Sequence, residues 1–273
     1  MIKSHIIPLC FWINKKRKNK TTLLIGLAGG QGTGKTTIST LLRLVLVKYF
    51  KLQVFKISID DFYKTRKERI LLSKNKHPLL LTRGVPGTHD IQLIANLFRK
   101  VKKNTFRSIS IPKFDKSIDD RCKKNNWFKL KKKPDILILE GWCVGARPEI
   151  NKTLKKSINS LEKTSDQNLI WRHHVNQQLK TKYKKLYSQL NCMIYLKAKN
   201  FSLLQKWRLK QEKKLWLKTN KKSRHKIMSK GDVINFMQTY QRITQNMFKN
   251  MPKYASIILN LNSNHQINTA VYK

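Results

Sequence analysis

Gly29-Gly30-Gln31-Gly32-Thr33-Gly34-Lys35-Thr36 satisfies the pattern G-x-x-x-x-G-K-[ST]. Its flanks supply the context such a loop needs. Leu23-Leu24-Ile25-Gly26-Leu27-Ala28 is an apolar run that reads as a buried strand, and Thr36 to Tyr49 reads as a helix. Glycines let the backbone curl until successive N–H groups point inward. The helix N-terminus adds partial positive charge at the same place, and the two together suit phosphate oxygens. Lys35 is placed to reach the β- and γ-phosphates of a nucleotide, and the Thr36 hydroxyl to ligate Mg²⁺. The expected nucleotide contacts are Gly29, Gly30, Gln31, Gly32, Thr33, Gly34, Lys35, Thr36 and Thr37.

Downstream of the loop, strands and helices alternate. Gln53 to Ile59 reads as a second strand ending at Asp60-Asp61. Thr88 is the expected N-cap of a helix with apolar positions Ile91, Ile94, Leu97, Phe98 and Val101. A short strand near Arg107 to Ile111 precedes the loop Pro112 to Arg121, and Pro134 introduces a buried strand that ends at Glu140. Leu169 to Leu190 reads as helix and Asn191 to Leu196 as strand. Helices near Phe201 to Leu217 and Asp232 to Asn250 bracket the basic loop Lys218 to Lys226. Pro252 is expected to end the second of these helices, and Ala255 to Leu261 is the last expected strand. This alternation predicts an α/β fold of the P-loop NTPase type, a mostly parallel sheet covered by helices on both faces. Residues 21–273 form the expected domain, with a helical lid-like insertion at about 200–230 and a basic lead-in at 1–20.

Acidic residues number only 14 in the chain of 273, so their positions carry information. Asp60, Asp61, Asp90, Asp115, Asp119, Asp120 and Glu140 fall between residues 60 and 140, and Asp60 and Glu140 end expected parallel strands. In an open α/β sheet the carboxyl ends of the strands line the ligand crevice, so both acids should face the phosphates. Transfer of a phosphoryl group to an alcohol needs a clamp on the phosphates and a group that accepts the hydroxyl proton. Asp60 is the candidate base and Glu140 the candidate Mg²⁺ holder; the exchanged assignment is open. Asp61 has the expected role of supporting Asp60.

Lys and Arg total 59, giving a formal net charge of +45. That charge is mostly Lys and runs along the whole chain, which points to a solvated basic surface more than to a nucleic-acid site. The densest patch, Lys123 to Lys133 around Trp127-Phe128, is where a polyanion would bind if one did. Cys10, Cys122, Cys143 and Cys192 are scattered with no C-x-x-C, as expected of reduced thiols in a cytoplasmic protein. His173-His174 is expected to be solvated. No apolar run approaches the roughly 18–20 residues of a membrane-spanning helix. In the lead-in, the basic cluster Lys15-Lys16-Arg17-Lys18 follows the apolar Ile6 to Ile13, the reverse of the charge order of a secretory signal.

Together with the loop, Ser58-Ile59-Asp60-Asp61-Phe62-Tyr63 resembles the phosphoribulokinase, uridine kinase and pantothenate kinase superfamily. Four further segments resemble its D-glycerate 3-kinase group: Arg83-Gly84-Val85-Pro86-Gly87-Thr88-His89-Asp90, Ile111-Pro112-Lys113-Phe114-Asp115-Lys116-Ser117, Leu139-Glu140-Gly141-Trp142-Cys143-Val144-Gly145 and Trp207-Arg208-Leu209-Lys210-Gln211-Glu212. The resemblance runs from about Leu23 to Leu261. It departs at Ile118-Asp119-Asp120-Arg121, which lacks the glycines usual there. It implies a kinase using ATP and Mg²⁺, with catalytic Lys35, Asp60 and Arg208, the last on a mobile lid, and with Thr36 and Glu140 at the metal. It also implies acceptor contacts from Asp61, Tyr63, Arg83, His89, Asp90, Asp115 and Arg121. A basic pocket from Arg83, Lys116 and Arg121 would suit an anionic hydroxy acid such as D-glycerate. A pantothenate- or uridine-like acceptor is the alternative, and a nucleic-acid-associated NTPase a more distant one.

Overall fold

In the computed structural model, which describes residues 2–18, 21–219 and 227–273, the stretch read as a lead-in is helical. A π-helical turn (Ile2–Ile6) runs into α1 (Ile7–Lys16). Ile6, Leu9, Cys10 and Ile13 recur at helical spacing, and all four are fully buried.

β1 (Leu23–Gly29) feeds the loop and then α2 (Lys35–Lys48). β2 (Val54–Ser58) is followed by a 3₁₀ turn (Ile59–Phe62) and α3 (Arg66–Asn75). α4 (Ile91–Lys102) follows, but its N-cap is Asp90, whose carboxylate accepts from Leu93 N. The expected cap, Thr88, is instead buried two residues upstream, where its hydroxyl donates to Val85 O and accepts from Gly84 N. Next come β3 (Ile109–Ile111), β4 (Phe114–Asp115), β5 (Asp120–Arg121) and β6 (Phe128–Leu130), so the expected loop 112–121 contains an antiparallel hairpin.

β7 (Ile136–Gly141) precedes the short helices α5 (Asn151–Leu154) and α6 (Ser160–Ser165). The helix expected over 169–190 is α7 (Ile170–Gln178), a π-helical segment (Leu179–Tyr183) and α8 (Lys184–Tyr187). After β8 (Cys192–Lys197) come α9 (Phe201–Lys218) and α10 (Lys230–Tyr254). The basic loop expected at Lys218 to Lys226 lies, from residue 220, outside the described residues. Pro252 sits inside the last turn of α10, which runs on to Tyr254. β9 (Ile257–Leu261) is not the last strand: β10 (Ile267–Tyr272) follows it and pairs back antiparallel.

The main sheet has the order β10-β9-β8-β1-β7-β2, parallel except for β10. Side chains of the central strands alternate between two cores. Leu23, Ile25 and Leu27 join Ile38, Leu42, Leu204 and Trp207 on one face. Leu24 and Ala28 join Ile94, Phe98, Trp171 and Met247 on the other. Each such aliphatic side chain contributes roughly 1.5–3 kcal/mol by leaving water, which makes the centre of the sheet the rigid part of the molecule. Its register decides where the chemistry sits. Leu27 and Ser58 both lie level with Glu140, so β1, β7 and β2 end at one edge.

Behind that edge, α6, α7 and α10 are tied by buried ion pairs. Arg172 contacts Asp166 at 2.8 Å and Glu162 at 3.3 Å, and Arg242 contacts Glu162 at 2.7 Å. The network fixes α10, which carries Phe236 and Tyr240 to the cleft described next.

Candidate active site

Residues 30–34 turn between β1 and α2 with Gly32 at φ 78° and Gly34 at φ 83°, left-handed values that an L side chain resists. A Cβ on Gly30 would lie 2.3 Å from Leu204 Cδ1. Thr33 is buried, and its hydroxyl closes the turn on Gly30 O at 2.8 Å. The ammonium of Lys35 bridges the carbonyls of Gly29 and Gly30, 2.8 Å from each. Burial pulls its pKa down to about 8, with the negative charges of Asp60 and Glu140 acting the other way. Lys35 therefore remains a cation at neutral pH.

Glu140, at the end of β7, is buried and accepts from two hydroxyls one helical turn apart on α2: Thr36 Oγ1 at 2.9 Å and Ser39 Oγ. A carboxylate and a hydroxyl at the mouth of a phosphate loop form an oxygen donor set, the kind that Mg²⁺ accepts while keeping several waters. No group of three or more His, Cys, Asp or Glu side chains among the described residues could by itself hold a metal ion. The donor set fits a cation shared with phosphates.

Asp60 lies two residues past β2. Tyr63 OH donates to its Oδ1 at 3.1 Å, and Lys116 Nζ to its Oδ2 at 2.8 Å. Burial would push the Asp60 carboxyl up, but the charge and hydrogen bond of Lys116, with help from Tyr63, hold it below the ordinary carboxylate value. Asp61 goes the other way: burial raises it, and hydrogen bonds from the Phe114 and Ser58 backbone oppose that rise. Arg83 pairs with Asp119, which also holds Arg69 at 3.0 Å. Arg208 leans back onto Glu212, donates to Gln211 Oε1 at 3.3 Å and lies 5.7 Å from the Phe236 ring.

These groups share one cleft of about 750 Å³ at the carboxyl edge of the sheet. Gln31, Gly32, Lys35 and Thr36 enter it from the loop, Asp60, Asp61 and Tyr63 from beyond β2, Glu140 from β7, and Arg208 from α9. Its other walls are Arg83, Lys116 from the β4–β5 hairpin, Trp142, and Phe236 and Tyr240 from α10.

No family model matches the chain. It is 31% identical over 253 residues to an uncharacterized kinase, mug58, of Schizosaccharomyces pombe, an alignment that covers 90% of this chain and 84% of the relative. The chain belongs to the phosphoribulokinase, uridine kinase and pantothenate kinase superfamily of P-loop kinases. This kinase is also 28% identical over 227 residues to the chloroplastic D-glycerate 3-kinase of Arabidopsis thaliana, across 76% of its own length and 47% of that protein's. Its fold matches the solved D-glycerate 3-kinase of Cryptococcus neoformans with a TM-score of 0.81 at 22% identity, over 99% of both chains. As a member of this superfamily it is a phosphotransferase with an alcohol group as acceptor.

The cleft of the kinase gathers Lys35, Thr36, Asp60, Asp61, Tyr63, Arg83, Glu140 and Arg208 from the residues expected to act. Thr37 is exposed beside Thr36 and does not line it. His89, Asp90, Asp115 and Arg121 stand outside it, each hydrogen-bonded to protein groups of the walls. His89 is buried, stacks on Tyr63 with ring centroids 4.5 Å apart and meets Tyr183 OH through Nδ1 at 2.7 Å. Burial lowers its pKa to about 4, so it is neutral. Asp90 caps α4, and Arg121 donates to Tyr63 O at 2.7 Å and to Asp90 at 3.4 Å. Asp115 accepts from Ser117 N and Oγ at 2.8 and 2.6 Å, which shapes the hairpin. The sequence reading gave no role to Asp119, Trp142, Gln211, Phe236 and Tyr240, which line the cleft, or to Ser39, buried beneath it against Glu140. Only Ser39, three residues after Thr36 on the same helix face, had a signal in its spacing.

Proposed function

We propose that the kinase transfers the γ-phosphate of ATP to a hydroxyl of a small anionic hydroxy acid, with D-glycerate the best candidate. The observation that carries this reading is that the Asp60 carboxylate and the phosphate loop open into one cleft alongside Arg83 and Lys116. Resemblance to the Arabidopsis and Cryptococcus D-glycerate 3-kinases supports the choice of acceptor.

In this reading the loop amides and Lys35 hold the β- and γ-phosphates. Thr36 and Glu140 would hold Mg²⁺, which would offset charge on the phosphates. Asp60 accepts the proton of the attacking hydroxyl. Its pairing with Lys116 weakens it as a base, and an entering carboxylate competes for the same ammonium. Acceptor binding then frees Asp60 at the moment its proton affinity is needed. Arg208 turns from Glu212 to the transferring group, where an arginine is worth on the order of 10³-fold or more in rate. Trp142, Phe236 and Tyr240 exclude water from the reaction centre.

The test is ATP consumption by the purified kinase with D-glycerate, pantothenate, uridine and ribulose 5-phosphate offered separately. Phosphorylation of D-glycerate above the others is the expected result. Preference for a neutral nucleoside, or ATP turnover stimulated by DNA or RNA and by no small acceptor, would sink the assignment.

A further inference from the structure

The chain enters the active-site cleft at Gly141, the last residue of β7, and Trp142, and from Gly145 to Asn151 it lines a second cavity of about 880 Å³. That volume lies within the range of small-molecule sites, roughly 300–1,000 Å³. None of the groups assigned to phosphoryl transfer lines it. Its apolar surface comes from Met193, Tyr187 and Tyr254, and three cations, Arg147, Lys180 and Lys184, stand around it.

Two features show that the positive charge here is not neutralised within the protein. The side chains of Arg147, Lys180 and Lys184 take part in no ion pair with an acid among the described residues. The one acid in the lining, Glu149, is already engaged by Thr153 Oγ1 at 3.0 Å and by Arg242 at 3.5 Å. Arg147 instead lays its guanidinium 3.6 Å from the centroid of the Tyr254 ring. Tyr254 is itself fixed by donating to Gly145 O at 2.8 Å. A stacked guanidinium keeps its other face for a second flat group.

The backbone adds an independent sign. Lys180 lies within the π-helical segment Leu179–Tyr183 and Lys184 opens α8 directly after it. Such segments carry a less favourable backbone than an α-helix and recur at functional sites. Here the wider turn keeps Tyr183 facing inward, its hydroxyl accepting from Gly87 N (3.0 Å) and hydrogen-bonded to His89 Nδ1 (2.7 Å), while Lys180 and Lys184 both reach the cavity.

We propose that this cavity is a second ligand site, for a small molecule that joins an aromatic ring to a phosphate group. The ring stacks at Arg147 and Tyr254 over Met193, and the phosphate is held by Lys180 and Lys184. The site does not depend on which acceptor the kinase uses.

Isothermal titration of the kinase with 1-naphthyl phosphate tests it, with no nucleotide present, since a nucleotide itself joins a ring to a phosphate; the Lys35→Ala variant tells this site from the active-site cleft. One equivalent should bind. The affinity should be the same within about two-fold in Lys35→Ala, and should fall by about ten-fold or more in Lys180→Gln/Lys184→Gln, which removes two charge-assisted contacts. Because a chain of +45 attracts anions everywhere, Lys131→Gln/Lys132→Gln serves as the control of equal charge and should change the affinity by less than about two-fold. An unchanged melting temperature in both double variants certifies their fold. Absence of binding, loss of binding in Lys35→Ala, or equal weakening in the control pair would each overturn the proposal.

Discussion

Asp60→Asn separates chemistry from architecture. The replacement has the same shape, and Tyr63 still has an oxygen to donate to, but the charge proposed to accept the hydroxyl proton is gone. General-base catalysis contributes roughly 10²–10⁴-fold, so kcat should fall by that factor, about 3–5 kcal/mol in the barrier. Binding of ATP should be spared, since Lys35 is anchored on the Gly29 and Gly30 carbonyls and makes no hydrogen bond to Asp60. Folding should be spared too. The Asp60–Lys116 pair is partly exposed, 31% and 60% at its side chains, and such pairs are worth about 0.2–1 kcal/mol. The melting temperature then moves by no more than about 2–4 °C. A second signature comes from Lys35, whose pKa of about 8 is supported by the Asp60 charge. Without that charge Lys35 loses its proton at lower pH, so ATP affinity in the variant should begin to fall at lower pH than in the wild type. The assay is kcat and KM for ATP between pH 6 and 9, with the melting temperature recorded alongside. Turnover within about three-fold of wild type would remove Asp60 as the base.

Other outcomes follow from the same geometry. Glu140→Gln keeps partners for Thr36 and Ser39 but loses the anionic oxygen, so the Mg²⁺ concentration giving half-maximal activity should rise by about ten-fold or more; an unchanged Mg²⁺ response would reassign the metal site. Glu162→Ala strips a buried carboxylate from both Arg172 and Arg242 and should cost about 3–5 kcal/mol in urea unfolding, since two guanidinium groups lose their partner. His89 has a folded pKa of about 4 against an ordinary 6.5, so the unfolded chain binds the extra proton first. Its contribution is complete above about pH 6.5 and is lost as pH falls toward 4, a change on the order of 3 kcal/mol. His89→Gln should flatten that part of the stability-against-pH curve, measured as urea midpoints at pH 7, 5.5 and 4.5.

The centre of the sheet was legible because its strands are continuous apolar runs and the loop is a contiguous string of residues with one geometric meaning. Glu140 and Asp60 were legible for the same reason: each follows such a run, and strand ends in a parallel sheet share an edge. The residues around them were harder to read. His89, Asp90, Asp115 and Arg121 have the polar character of a binding site, but their hydrogen bonds go to Tyr183, the α4 N-terminus, the Ser117 turn and Tyr63 O. Nothing local in a sequence tells a side chain that meets a ligand from one that meets the backbone across a chain reversal. β10 was invisible because its residues are mostly exposed and it is defined by pairing with β9. α1 reads as a tail because a basic cluster follows its apolar face, yet that face completes the core over α2.

Leu204 packs where a Cβ on Gly30 would stand, Trp207 does the same at Gly32, and Arg208 is the next residue along α9. The beginning of that helix is thus a fixed strut braced on the nucleotide cradle, pinned further by Trp207 Nε1 donating to Ser263 O at 3.1 Å. If the enzyme closes over its substrates, the pivot must fall beyond Glu212. The backbone of Arg208 would then stay in place, its side chain alone turning from Glu212, while the distal turns of the helix sweep across it.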